Sequence, residues 1–177
     1  MTAPSQTPPT ILVPNIVDLN EVVRQTAFKL ARFQDEGIHL LLDLWLRPVE
    51  VVAEPGALDR VVMNLALNAC DAMLDGGVLT IETAIAHAWR RPIASMPPGP
   101  YARLKVTDNG CGMPADVTPR IFDPSFTTKE NGTGLGLHSV AVTVEQLQGT
   151  ISVESAPRRG TAVTIMLPLP PLTIRRS

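Results

Sequence analysis

Three short stretches of the 177-residue chain carry residue types whose spacing could do chemistry. The first is Leu58–Met73, which has a helical pattern. On the helix predicted through it and on to Gly76, Arg60, Asn64, Asn68, Asp71 and Asp75 fall within roughly an 80° arc. Such a stripe is either a solvated face or a row of donors aimed one way. Asparagine serves a solvated face poorly, because its amide competes with the backbone for hydrogen bonds. Two amide oxygens one turn apart suit a hard cation such as Mg²⁺, which keeps waters and shares phosphates. The second stretch is Asp108-Asn109-Gly110-Cys111-Gly112-Met113, directly after a strand pattern. It is either a plain turn or a carboxylate presented to a ligand beside glycines that let backbone approach. The alternating Asp/Asn series and terminal Glu of a calcium loop are missing. The third is Asn131-Gly132-Thr133-Gly134-Leu135-Gly136-Leu137, opening a helix. Glycine-rich backbone at a helix N-terminus is an anion cradle. No GK[ST] follows, and the G-x-G-x-G spacing is not the dinucleotide fingerprint.

These stretches need elements to hold them. A first helix is predicted from Asp18, with Glu21 placed as in a capping box and Gly37 beyond its end. Leu19, Val22, Val23, Phe28 and Leu30 would form its buried stripe. Ile38–Leu46 and Val49–Ala53 read as strands, separated by Pro48. The second helix is expected from Pro55 to Gly76-Gly77. Val78–Ala86 and Ala102–Thr107 suggest an antiparallel pair with a long connection. The segment from Gly110 to Gly132 reads as a long loop, and such loops in compact domains are usually functional. A third helix, about Gly134–Gln148, leads to a hairpin of Ile151–Glu154 and Thr161–Leu167 around Arg158-Arg159-Gly160. The sum is an α+β fold: a two-layer sandwich with a mixed, mostly antiparallel sheet and three main helices on one face.

Composition sets the limits. The chain is 45% hydrophobic and 18% charged, which is globular rather than disordered. A net charge of −2 gives no electrostatic case for nucleic acid. No apolar run reaches the ~20 residues of a membrane span, and no signal peptide is visible. Cys70 and Cys111 make no zinc or disulfide pattern, which fits a reduced, cytoplasmic setting. The 17 prolines gather at Pro4–Pro14, Pro92–Pro100 and Pro168–Pro171, two ends and one internal loop. The expected division is a proline-rich segment over 1–17, one domain over 18–168, and a tail over 169–177.

The order of the motifs resembles the ATP-binding catalytic domain of bacterial sensor histidine kinases, within the superfamily of gyrase, heat-shock chaperone and mismatch-repair ATPases. Leu58–Met73 resembles the N box and Asp108–Met113 the G1 box, with Pro97–Tyr101 before it as in soluble nitrogen sensors. Ile121–Lys129 resembles the F box, Gly132–Leu137 the G2 box, and Gly160-Thr161 the closing Gly-Thr of the last hairpin. The resemblance implies that Asn68 ligates Mg²⁺, with Asn64 supporting metal and phosphates and Asp71 beside them. It implies that Asp108 accepts a hydrogen bond from the adenine amine, with Gly110, Gly112, Met113 and Thr161 around the base. Phe122, Phe126, Thr127 and Thr128 would form the lid, with core packing open as an alternative for each phenylalanine. Gly132, Thr133, Gly134, Leu135, Gly136 and Leu137 would cradle the phosphates, and Lys129 would reach the terminal one.

Two departures stand inside the boxes. Ser125 replaces a frequent aromatic, which suggests a looser lid. Arg158 replaces a frequent turn glycine, which reads as cosmetic. The phosphoacceptor helical hairpin of a complete kinase is absent, and His39, His87 and His138 read as ordinary packed or surface histidines. A Glu at position 64 would serve as a base in ATP-hydrolysing relatives and anti-sigma serine kinases. Asn64 cannot take a proton, which favours transfer to an imidazole. The expected activity is transfer of the ATP γ-phosphate to a histidine on a dimerisation domain, in cis or in trans, with a response regulator downstream. The alternatives are a nucleotide-binding or interaction module without transfer, and an anti-sigma-type serine kinase. Without the hairpin, a monomer with no direct membrane contact is expected.

Overall fold

The computed structural model describes residues 15–30, 37–87, 96–127 and 134–171. Strand β1 (Ile16–Asp18) leads into helix α1 (Leu19–Leu30), followed by β2 (Ile38–Asp43), β3 (Glu50–Val52) and helix α2 (Ala57–Asp71). Then come β4 (Gly77–His87), β5 (Pro100–Asp108), a 3-10 turn (Thr118–Arg120), α3 (Leu135–Gln146), β6 (Thr150–Ser155) and β7 (Thr161–Pro168). Five strands form one sheet in the order β2-β4-β5-β7-β6, and β1 pairs with β3 in a separate two-stranded sheet. Among the described pairings only β2–β4 is parallel. The α+β sandwich expected from the sequence is the fold observed.

Alternation explains the layers. Leu79, Ile81, Leu104, Val106, Val163 and Ile165 are all buried at every second strand position. They meet Leu58, Val61, Val62 and Leu65 of α2, Val23 of α1 and Val140 of α3 in one core. Each such aliphatic side chain contributes about 1.5–3 kcal/mol when fully buried.

Buried polar groups fix the connections. Asn20, 2% exposed, donates to the carbonyls of Trp45 (3.0 Å) and Arg47 (2.9 Å) and accepts from the Thr83 hydroxyl. Thr83 Oγ1 in turn receives the Trp45 amide. This satisfied network pins the β2–β3 connection to both α1 and β4, as buried polar groups require.

Several boundaries differ from expectation. Asp18 does accept the Asn20 amide, but it also accepts the Val49 amide, so it clamps β3 as well as capping α1. Glu21 pairs with Gln25 and Arg24 along the helix instead of closing a capping box. Phe28 is 84% exposed, and Thr26 takes the buried place on α1, bonded to Asp59 of α2. Strand β2 stops at Asp43 because the next residues turn into the Asn20 network. Helix α2 begins at Ala57, since Gly56 has φ 75°, and ends at Asp71. Asp75 therefore lies off the helix and off its polar stripe.

Candidate functional site

Strand β5 is the central strand, and Asp108 is its last residue. Its side chain is buried, and Oδ1 accepts the backbone amides of Gly110 (2.9 Å) and Thr161 (3.2 Å). Among the described residues no donor reaches Oδ2. Burial pushes the carboxyl above its usual range, and the two amides partly oppose that shift. The surroundings are tight. Gly160 has φ +74°, and a Cβ on it would lie 1.9 Å from the Asp108 carbonyl oxygen. A Cβ on Gly110 would lie 2.4 Å from the Ala72 carbonyl oxygen, which also accepts the Cys111 amide at 2.9 Å. The loop after β5 is thereby seated on the end of α2. It is fastened on the far side by Ser155, whose Oγ receives the Met113 amide (2.8 Å) and donates to the Gly160 carbonyl (3.0 Å). Asn109 secures the near side by accepting the Val78 amide at 2.8 Å.

The N-box asparagines face the start of α3. Asn64 Nδ2 donates to the Gly136 carbonyl at 3.4 Å. A Cβ on Gly136 would lie 3.8 Å from Asn68 Nδ2. Asn64 and Asn68 are half-buried, while Asp71 is exposed at the end of the helix. Gly134 caps α3 at φ 66°, and Leu137 packs against the core while Leu135 is 53% exposed.

The segment before α3 folds back on it. A Cβ on Gly134 would lie 2.4 Å from the Ser125 carbonyl carbon. His138 Nδ1 lies 3.0 Å from the Phe122 carbonyl, and Arg120 sits 4.4 Å above the Phe126 ring. Phe122 and Phe126 are half-buried and Thr127 is exposed. Ser125 has φ 64° and Arg158 φ 63°, so both occupy the left-handed region that favours glycine. Arg158 therefore carries backbone strain that a glycine at that turn would not. Its amide donates to the Cys111 carbonyl at 2.7 Å, which holds the hairpin turn against the loop after β5. Thr128, Lys129, Gly132 and Thr133 lie outside the described residues.

The structure therefore brings Asn64 and Asn68 against Gly136 at the start of α3, which Gly134 caps, and seats the loop carrying Gly110 and Met113 between Asp108, Thr161 and the C-terminal end of α2. Ser155, Asn109 and His138 were not singled out as site residues from sequence. Nothing in the spacing marked Ser155, whereas Asn109 lay inside the quoted motif.

Residues 53–171 match the family described as histidine kinase-, DNA gyrase B- and HSP90-like ATPases. The chain belongs to that family. Within it, the chain is the ATP-binding catalytic domain of the sensor histidine kinase type. The sensor kinase CckA of Brucella abortus is 40% identical over 166 residues, which cover 89% of this chain and 17% of CckA. The sensor histidine kinase ZraS of Escherichia coli strain K12 is 35% identical over 91% of this chain and 32% of its own length. The solved structure of the mycobacterial sensor histidine kinase MprB superposes with a TM-score of 0.71 at 28% identity, covering 88% of this chain and 97% of that one. The chain thus spans about a third or less of these curated relatives. Both cysteines are free, Cys70 buried and Cys111 exposed. Among the described residues no helix is long and apolar enough to cross a membrane.

Proposed function

We propose that this chain binds Mg-ATP and transfers its γ-phosphate to a histidine on a dimerisation domain, in cis or in trans, within a cytoplasmic two-component pathway. The observation that carries the reading is the meeting of Asn64, Asn68 and Gly136. It sets two neutral side-chain amides beside a helix N-terminus whose glycine leaves room for phosphate oxygens.

The residues fit the implied metal. Among the described residues there is no cluster of three acidic, His or Cys side chains that could enclose a cation. A single amide oxygen from Asn68 leaves the remaining positions to water and phosphate, as Mg²⁺ prefers. When bound, the ion neutralises phosphate charge during transfer. Asp108 reads the base: Oδ2 accepts the exocyclic amine of adenine, and a carbonyl at that place would face a carboxylate without a donor. Phe122 and Phe126 contribute to the lid. Lys129 is assigned the terminal phosphate by resemblance. Catalysis is then positioning and charge neutralisation without a protein base, since Asn64 cannot hold a proton.

Calorimetry tests the binding half. Mg-dependent ATP binding is expected in the wild type, lost largely in Asn68→Ala and Asp108→Ala, and absence of binding in the wild type refutes the reading. Transfer is tested with labelled ATP and a phosphoacceptor hairpin. Acid-labile label on histidine supports a histidine kinase. Acid-stable phosphoserine on a small partner points to the anti-sigma type, and no label under any pairing to a nucleotide-binding module.

A further inference from the structure

Among the described residues, strand β2 is an edge of the five-stranded sheet, paired only with β4. Edge strands in soluble proteins are blunted by charge, proline or a bulge. The opposite edge, β6, carries Thr150, Ser152, Glu154 and Ser155. Strand β2 reads Ile38-His39-Leu40-Leu41-Leu42-Asp43, and its outer residues are open: Leu41 is 54% and Leu42 41% exposed. Leu42 lies on the helix-covered face with Ile38 and Leu40, so the helical layer stops short of the edge.

We propose that this edge pairs with β2 of a second copy of the chain, antiparallel about a two-fold axis at Leu41. The argument is self-complementarity. In an antiparallel pair, residues whose backbone groups point outward face residues that do the same, so a two-fold must pass through a residue position. Centred on Leu41, the register sets Leu41 against itself and Leu40 against Leu42 of the second copy, covering the side chains left open. It also sets His39 against Asp43 of the second copy, twice over, an imidazole N–H opposite a carboxylate. Within its own sheet Asp43 is in register with Glu82, a like charge already committed to Lys105 (3.5 Å) and Arg103 (3.9 Å). The second copy's histidine is the favourable neighbour that Asp43 lacks. Centring the axis on Leu40 or Leu42 instead loses both His–Asp pairs. The result is a ten-stranded sheet joined without the hairpin through which the family dimerises, in place of the monomer expected from the sequence.

Sedimentation equilibrium of the full chain across micromolar to millimolar concentration tests this, with far-UV circular dichroism to confirm folding. The weight-average mass of the wild type is expected to double with concentration. Leu41→Lys, at an exposed position, places like charges at the axis and should stay folded and monomeric. H39D opposes two carboxylates and should also be monomeric, while the H39D/D43H exchange restores the dimer. A wild type that remains monomeric throughout, as expected if the edge instead receives a strand from another domain, overturns the proposal. So does a dimer that Leu41→Lys and H39D leave unchanged.

Discussion

The backbone amide of Thr161 donates to Asp108 Oδ1 at 3.2 Å, joining the first residue of β7 to the last residue of β5. One carboxylate oxygen is thereby committed to the fold, and the other is the one proposed to accept the adenine amine. On that proposal the residue has two separable duties.

Asp108→Asn separates them. Its amide oxygen can still receive the two backbone amides, so the loop keeps its shape. The ligand-facing charge is lost, and ATP affinity should fall by about 1.5–3 kcal/mol, on the order of tenfold to a hundredfold. Isothermal titration calorimetry reads this, and an unchanged Kd refutes the assignment of Asp108 to the adenine amine.

The same substitution has a pH signature. Burial raises the Asp108 carboxyl in the folded state. A raised pKa means the folded chain holds that proton more tightly than the unfolded chain. The contribution to stability is full below the unfolded pKa and is lost as pH rises through the folded one. At neutral pH Asp108→Asn should therefore melt higher than the wild type, and the difference should close on acidification. Asp59 has the opposite sign. Its carboxylate is lowered chiefly by the hydrogen bond from Lys29 at 2.7 Å, so Asp59→Asn should melt lower at neutral pH, with the gap closing below the ordinary carboxylate range. Differential scanning calorimetry across pH distinguishes the two.

Glycines in the site divide by what surrounds them. Gly136→Ala meets only ordinary contact in the free protein and gains up to ~1 kcal/mol of helix propensity. It should hold or raise Tm yet weaken nucleotide binding, because the methyl occupies the space beside Asn68. Gly110→Ala collides with the Ala72 carbonyl and should destabilise the fold itself. A Gly136→Ala variant with wild-type affinity would remove that space from the site.

Arg158→Gly relieves a left-handed residue and should stabilise by ~1 kcal/mol, about 2–4 °C in Tm for a chain of this size. Ser155→Ala works the other way, orphaning the Met113 amide and costing ~1–3 kcal/mol. Thermal melts of the two variants should move in opposite directions.

The legible parts of the sequence were those with a period or a motif. Alternation in β4, β5 and β7 and the glycines bounding α3 placed the sheet and the helices. The asparagine spacing placed Asn64 and Asn68 on one side of α2, and the structure aims both at Gly136. What remained hidden depends on tertiary partners. Phe28 fitted an apolar stripe, yet the facing surface offers Asp59, which selects Thr26 and Lys29 instead. Asp75 shares the helical arc only if the helix runs beyond Asp71, and α2 ends there. The value of Ser155 comes from groups on two different segments, Met113 and Gly160, and no local pattern records that.

The separations spanned by these contacts have a kinetic meaning. Asn64 and Gly136 are 72 positions apart, and Asp108 and Thr161 are 53 apart. Closing such loops is entropically slow, and contacts of this kind form late. The Asp108–Thr161 junction does not exist until β7 has docked beside β5, so a nucleotide bound as proposed at Asp108 would recognise only the completed fold. At ligand concentrations ~100-fold above Kd, that selectivity adds about 2.7 kcal/mol to the native state. The Thr161 amide is then a built-in sensor of completion, and its hydrogen-exchange protection should lengthen when nucleotide is present.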